Sequence, residues 1–139
     1  MRLVLDTNVA VSAVLGSSAP SRLIELATEG EIELFSSADL LAELAKVLSR
    51  KRIETMLERR NRSAAEVIAL YEMLVEQIVP ASIGRVAPEP DDDAVLACAL
   101  ASGADLIVSG DKRLRNIKSY HRISIVSPAD ALAAVAARK

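Results

Sequence analysis

Four short apolar-rich runs punctuate the chain, and each stops at polar or turn-forming residues. Leu3-Val4-Leu5 ends at Asp6, and Ile32 to Phe35 ends at Ser36-Ser37. Leu106-Ile107-Val108 ends at Ser109-Gly110-Asp111, and Ile123 to Val126 ends at Ser127-Pro128. Runs of this length read as buried strands. A fifth strand around Ile78-Val79 and Ile83 is weakened by Pro80, which has no backbone donor.

Helical patterns lie between the runs. Pro20 to Glu29 reads as a helix closed by Gly30, and Ala38 to Leu48 carries Leu40, Leu41, Leu44, Val47 and Leu48 on one arc. Ser63 to Gln77 opens with a capping-box pair, Ser63 and Glu66. Asp92 to Ser102 is Ala-rich and closed by Gly103, and Ser127-Pro128 with Asp130 starts a last helix. Strands alternating with helices predict a three-layer α/β/α sandwich around a mainly parallel sheet of about four or five strands. A length of 139 residues suits one domain over 1–139.

Composition narrows the chemistry. The net charge is -2, so gripping nucleic acid by bulk positive charge is not expected; such contact has to be local. One cysteine, Cys98, excludes an internal disulfide or a zinc cage, and is expected in the core. One histidine, His121, excludes His-cluster metal sites and is expected at the surface. Aromatic residues are too few for a base-stacking platform, and Tyr120 is expected to pack structurally. The longest strongly apolar uncharged stretch, Ala94 to Ala104, is far shorter than the roughly 20 residues of a membrane span. Asp6 interrupts the first apolar run, which argues against a signal peptide. The expected setting is a reducing cytoplasm, with no membrane partner.

Acids recur where a parallel sheet binds ligands, beyond the carboxyl ends of its strands. Asp6 follows the first strand and Asp111 follows the strand at 106–109. Asp93 lies in the first turn of a buried helix leading into that strand, and Glu43 falls roughly 40° outside the buried arc of its helix at about 100° per residue. Each acid also has a plainer reading. Asp6 with Thr7-Asn8 can form a turn or cap, Asp91, Asp92 and Asp93 can cap a helix, Asp111 can start a turn, and Glu43 can be solvated. Those readings do not explain why acids gather at one rim. Crowded carboxylates take up protons unless a cation neutralises them, and oxygen ligands without His or Cys suit Mg²⁺ or Mn²⁺. Thr7, Asn8 and Ser109 are expected to orient the acids by hydrogen bonds.

In their order and separations, Asp6-Thr7-Asn8, Glu43 within Leu40-Leu41-Ala42-Glu43-Leu44, Asp93 opening Asp93-Ala94-Val95-Leu96-Ala97, and Ser109-Gly110-Asp111 resemble the PIN-domain nucleases. The likeness runs from Leu3 to about Ser127. It is strongest to the small VapC-like proteins that are toxin components of toxin–antitoxin pairs. The resemblance implies a Mg²⁺- or Mn²⁺-dependent endoribonuclease that leaves a 5′-phosphate and a 3′-hydroxyl. By position its acidic ligands are Asp6, Glu43, Asp93 and Asp111, with Thr7, Asn8 and Ser109 supporting them. Asp92 is the alternative to Asp93; Asp93 is favoured because Ala-Val-Leu-Ala follows it. Relatives often carry a further acid after Gly-Asp-Lys, where this chain has Arg113. The resemblance also implies an RNA substrate, a small antitoxin and a homodimer.

Two basic clusters flank these positions. Arg50, Lys51 and Arg52, with Arg59, Arg60 and Arg62, follow the Glu43 helix; Lys112, Arg113, Arg115, Lys118 and Arg122 follow Asp111. They are either solvated faces or arms that hold RNA phosphates. Two further alternatives stay open: a PIN nuclease of RNA processing or decay without an antitoxin, and a phosphoacceptor or ligand-binding α/β module, which also places aspartates and a lysine at strand ends.

Overall fold

The computed structural model describes residues 1–87 and 89–138. Its strands are β1 (Arg2–Leu5), β2 (Glu33–Ser36), β3 (Val75–Gln77), β4 (Leu106–Val108), β5 (Ser119–Tyr120) and β6 (Ile123–Val126). Its helices are α1 (Thr7–Val14), α2 (Ser18–Thr28), α3 (Ala38–Leu48), α4 (Lys51–Glu58), α5 (Ala64–Leu74), α6 (Pro90–Ser102), α7 (Lys112–Arg115) and α8 (Pro128–Ala137). The strands form one sheet in the order β3-β2-β1-β4-β6-β5, and every pair is parallel except β5 with β6.

Alternating side chains feed two hydrophobic layers, one on each face of the sheet. Leu3, Leu5, Leu34, Leu106 and Val108 enter the layer that α1, α2, α3, α5 and α8 cover. Val4, Phe35, Ile107, Ile123 and Ile125 enter the other, beneath α6 and Leu114 of α7. Strands apolar on both faces need helices on both sides, which gives the expected α/β/α sandwich. Leu3, Val4, Leu96, Ile107 and Val108 lose all or nearly all solvent contact, so the central strands and α6 make a rigid platform.

The sheet has one strand more than expected, and its edges differ from the sequence reading. The helix opened by Ser63 stops at Leu74, three residues before its expected end, because Val75–Gln77 pairs with Leu34–Ser36 of β2. That pairing is non-local, and it overrides the local helical pattern. Ile78 still donates to Ser36 O at 2.9 Å, but Val79 is largely exposed and no strand forms at 78–83. Helices α1, α4 and α7 and the two-residue β5 are additional elements.

The β5–β6 hairpin is tight. Tyr120 pairs with Ile123, leaving His121 and Arg122 as a two-residue loop with φ of 48° and 68°. Positive φ at both loop positions is the primed hairpin turn that normally takes Asn-Gly. Holding a non-glycine residue there costs about 1–3 kcal/mol. Gly16, also at positive φ, serves close approach: a Cβ there would come within 2.9 Å of the Arg60 guanidinium, which lies across the end of α1.

Candidate active site

Strands β1 and β4 are neighbours in register, with Leu5 opposite Val108, so the residues that follow them meet at one rim. The Asp6 N–H donates to Val108 O at 2.9 Å and starts α1 there. Its carboxylate is buried and divided between two tasks: Oδ1 accepts from Thr7 N at 2.9 Å, and Oδ2 accepts from Ser109 Oγ at 2.8 Å. Ser109, fully buried, also accepts at its Oγ from the Asp111 N–H at 3.0 Å. One hydroxyl thus links the acid after β1 to the loop that carries the acid after β4. Asp111 caps α7, its Oδ1 accepting from Arg113 N at 2.9 Å. Both aspartates are therefore helix caps, as the plainer reading held for Asp6, whereas it had Asp111 start a turn, and both also stand at the shared rim.

Three of the rim acids favour protons more than free carboxylates do. Burial pushes Asp6 up, and Asp111 adds to this, while the bonds from Ser109 and Thr7 oppose it. Burial pushes Asp92 up to about 6, the charges of Asp6 and Asp111 raise it further, and Arg113 opposes them. Glu43, half-buried on α3, is raised by burial and then by Asp91 and Asp6; Thr7 and Lys46 favour its charged form. Close like charges and partial burial are the physical causes.

The structure brings Asp92 to this cluster, and not the favoured Asp93. The Asp93 carboxylate turns to the segment before α6, where Oδ1 accepts from Ala87 N at 2.7 Å and Val86 N at 3.0 Å, and Oδ2 pairs with Arg85 Nε at 2.8 Å. These bonds, the one from Ala87 first, hold its carboxyl below the ordinary range. Asp93 borders a different hollow of about 300 Å³, with Ser37, Asp39, Pro80 and Ser82. The reason is helical phase. Asp92 heads the series Val95, Leu96 and Ala99, which packs on the sheet, and one residue further on the side chain has turned by about 100°.

Two buried oxygens here have no hydrogen-bond partner among the described residues: Asp92 Oδ2 and Thr7 Oγ1. Unsatisfied buried polar atoms are costly and call for an explanation. Among the described residues, no three His, Cys, Asp or Glu side chains already stand in a metal-coordinating group.

The remaining candidates lie around the rim. Asn8 is exposed and shares a cleft of about 390 Å³ with Arg50, Arg52 and Ile53. Lys51 is exposed and does not line that cleft. Arg113 reaches Glu89 Oε1 at 3.4 Å and Asp111 Oδ1 at 3.7 Å. Lys112 is exposed, and Arg115 is half-buried with its Nε unpartnered among the described residues. Sequence reasoning gave no site role to Glu89, Asp91 or Lys46, whose charges act on Asp92 or Glu43. Their only signal was adjacency to the acids singled out.

An acidic rim on a parallel α/β sandwich defines a class of fold and site, and comparison with known proteins defines the family. Residues 2–113 match the PIN domain, and the chain belongs to that family of nucleases. This leaves the phosphoacceptor alternative without support. Among solved structures, the chain is similar to one in a crystal structure of VapBC2 from Rickettsia felis bound to a DNA fragment from their promoter. The TM-score is 0.58 at 18% identity, over 90% of this chain and 97% of that one. No curated protein shows significant sequence similarity to the chain.

Proposed function

We propose that this protein is a Mg²⁺- or Mn²⁺-dependent endoribonuclease, and the toxin of a toxin–antitoxin pair. The observation that carries the proposal is the Asp6–Ser109–Asp111 rim, within electrostatic reach of Asp92 and Glu43, with a buried Asp92 oxygen that no described residue satisfies. An oxygen-only donor set with an orphaned buried carboxylate oxygen fits a hard divalent cation. Asp6, Asp92 and Asp111, with Glu43, would hold it. Asp92 takes the ligand role in place of Asp93, whose oxygens are occupied. When bound, the ion would supply activation of water and neutralise charge at the phosphodiester.

The chain's own residues do the rest. Ser109 fixes the Asp6 carboxylate and the Asp111 loop at once, so neither acid has to be ordered when substrate arrives. Arg50 and Arg52 on one side and Lys112, Arg113 and Arg115 on the other hold RNA phosphates beside the rim, without reading bases. Water attacks phosphorus, the bond to the 3′ oxygen breaks, and that oxygen takes a proton; the products carry a 5′-phosphate and a 3′-hydroxyl.

The partner proposal draws on the likeness to a chain of a VapBC2 complex. The surface also offers apolar area: Leu70 and Met73 on α5 are exposed beside a hollow lined by Ile24, Val67 and Leu74. A small antitoxin and a second copy of the chain are the proposed protein partners, in the cytoplasm. Among the described residues, no helix is long and apolar enough to cross a membrane.

The test combines a thermal melt with an RNA cleavage assay. Mn²⁺ at millimolar concentration raises the Tm of the unaltered protein and supports cleavage, and Asp92→Asn loses both responses while keeping its circular dichroism. Full cleavage by Asp92→Asn sinks the assignment. Growth arrest on expression, relieved by the neighbouring gene, supports the toxin reading; harmless expression without that gene favours a nuclease of RNA processing or decay.

A further inference from the structure

The opposite end of the sheet carries a feature that the acidic rim does not use. Of the four non-glycine residues with positive φ among the described residues, three lie in the β5–β6 region: Lys118, His121 and Arg122. Two of them are consecutive in a two-residue turn that Asn-Gly would form without strain. Both side chains are exposed, His121 has a ring contact with Tyr120, and the Arg122 guanidinium has no ion pair or hydrogen bond among the described residues. Strain retained at an exposed position points to a function for the side chains it presents.

These side chains border a hollow of about 480 Å³. Its walls include His121 and Arg122 from the turn, Arg138 beyond α8, and the first residues of β4 and β6, Leu106 and Ile123. It therefore opens at the amino ends of the strands, whereas the acids follow their carboxyl ends. Asp105 is the acid in this lining, and it is already engaged: Oδ2 accepts from Arg2 N at 2.8 Å, and Oδ1 faces Arg138 at 3.7 Å. The His121 ring stands edge-on to Tyr120, with centroids 4.5 Å apart, which fixes its direction. Arg122, His121 and Arg138, the last shared with Asp105 at 3.7 Å, outnumber the one carboxylate around a hollow of ligand-binding size, which suits an anion.

We propose that this hollow binds a phosphate group, carried by a nucleotide or by a nucleic-acid strand. Arg122 and Arg138 would hold the phosphate oxygens from two sides, and His121 would donate a further hydrogen bond. The strained turn keeps His121 and Arg122 over the opening, where Asn-Gly would leave it uncharged. The site does not depend on the nuclease reading.

His121 is the chain's one histidine, so its imidazole resonance is an unambiguous probe. The full protein, free of divalent ions, is titrated with inorganic phosphate, with adenosine monophosphate and with a short single-stranded DNA. Saturable shifts of that resonance are expected, with affinity at least tenfold weaker in Arg122→Ala/Arg138→Ala. A strand that binds more tightly than the mononucleotide assigns the phosphate to nucleic acid, and equal affinities assign it to a free nucleotide. A second variant, His121→Asn/Arg122→Gly, relieves the turn and is followed by calorimetry; it is expected to melt higher and to bind less. No shift with any of the three ligands, or unchanged binding in either double variant, overturns the proposal.

Discussion

Asp92 and Asp93 are chain neighbours with opposite electrostatics, and substitutions separate them. Asp92→Asn removes a charge that burial and its neighbours disfavour, so the metal-free protein is expected to melt no lower at pH 7, and its Mn²⁺-induced rise in Tm disappears. Asp93→Ala leaves the Val86 and Ala87 N–H groups without their acceptor and is expected to cost about 1–3 kcal/mol, read from a urea midpoint, with the Mn²⁺ response retained. The pH dependence follows from the same pair. The Asp92 carboxyl titrates at about 6 in the fold against 3.8 outside it, so its stabilising contribution is full below 3.8 and is lost as pH rises through 6. Asp6 and Glu43 share that sign, whereas Asp93, held low, loses its contribution as pH falls through its folded value. Without divalent ions the Tm is expected to fall between about pH 4 and 6, and the fall is smaller in Asp92→Asn; a melt series in chelator checks this. The Asp92/Asp93 choice was not legible in sequence. Helix α6 is apolar all round below its first turn, so its pattern carries no phase, and only the packing on β1 and β4 says which acid faces the rim. Glu43 was legible, because α3 has one apolar arc and the glutamate borders it.

At the scale of elements, the central strands and α3 could be read because burial on both faces, or on one arc, writes itself as apolar runs. The edges could not. Val75–Gln77 looks like the end of a helix until β2 supplies a partner, and β5 is too short to carry a period. Helix α1 was hidden by its opening, since Asp6-Thr7-Asn8 suits a turn as well as a helix start. Helix α6 supports both the core and the rim. Leu96, fully buried between α6 and the sheet, is therefore a sensitive position. Leu96→Ala is expected to cost about 2–5 kcal/mol in a denaturant melt.

The whole molecule has a net charge of -2, yet its proposed substrate is a polyanion. The structure answers this with geography, since Arg50 and Arg52 line a cleft with Asn8, next to buried Thr7 and Asp6. Arg50→Ala/Arg52→Ala is expected to weaken RNA binding alike for different sequences and to lower the salt dependence by about one counterion per arginine, measured by fluorescence anisotropy across a salt series. The rim itself carries a double obligation, because Asp6 and Asp111 begin α1 and α7 with the same carboxylates that the chemistry would use. Alanine at either position unseats a helix along with the acid, whereas asparagine keeps an acceptor for the backbone N–H groups. A descendant of this chain that had lost its chemistry would remain under pressure to keep Asp, Asn or Ser at 6 and 111. In such a lineage these positions would go on looking functional long after the reaction had gone, and residue 92, which caps nothing, would be the first to drift.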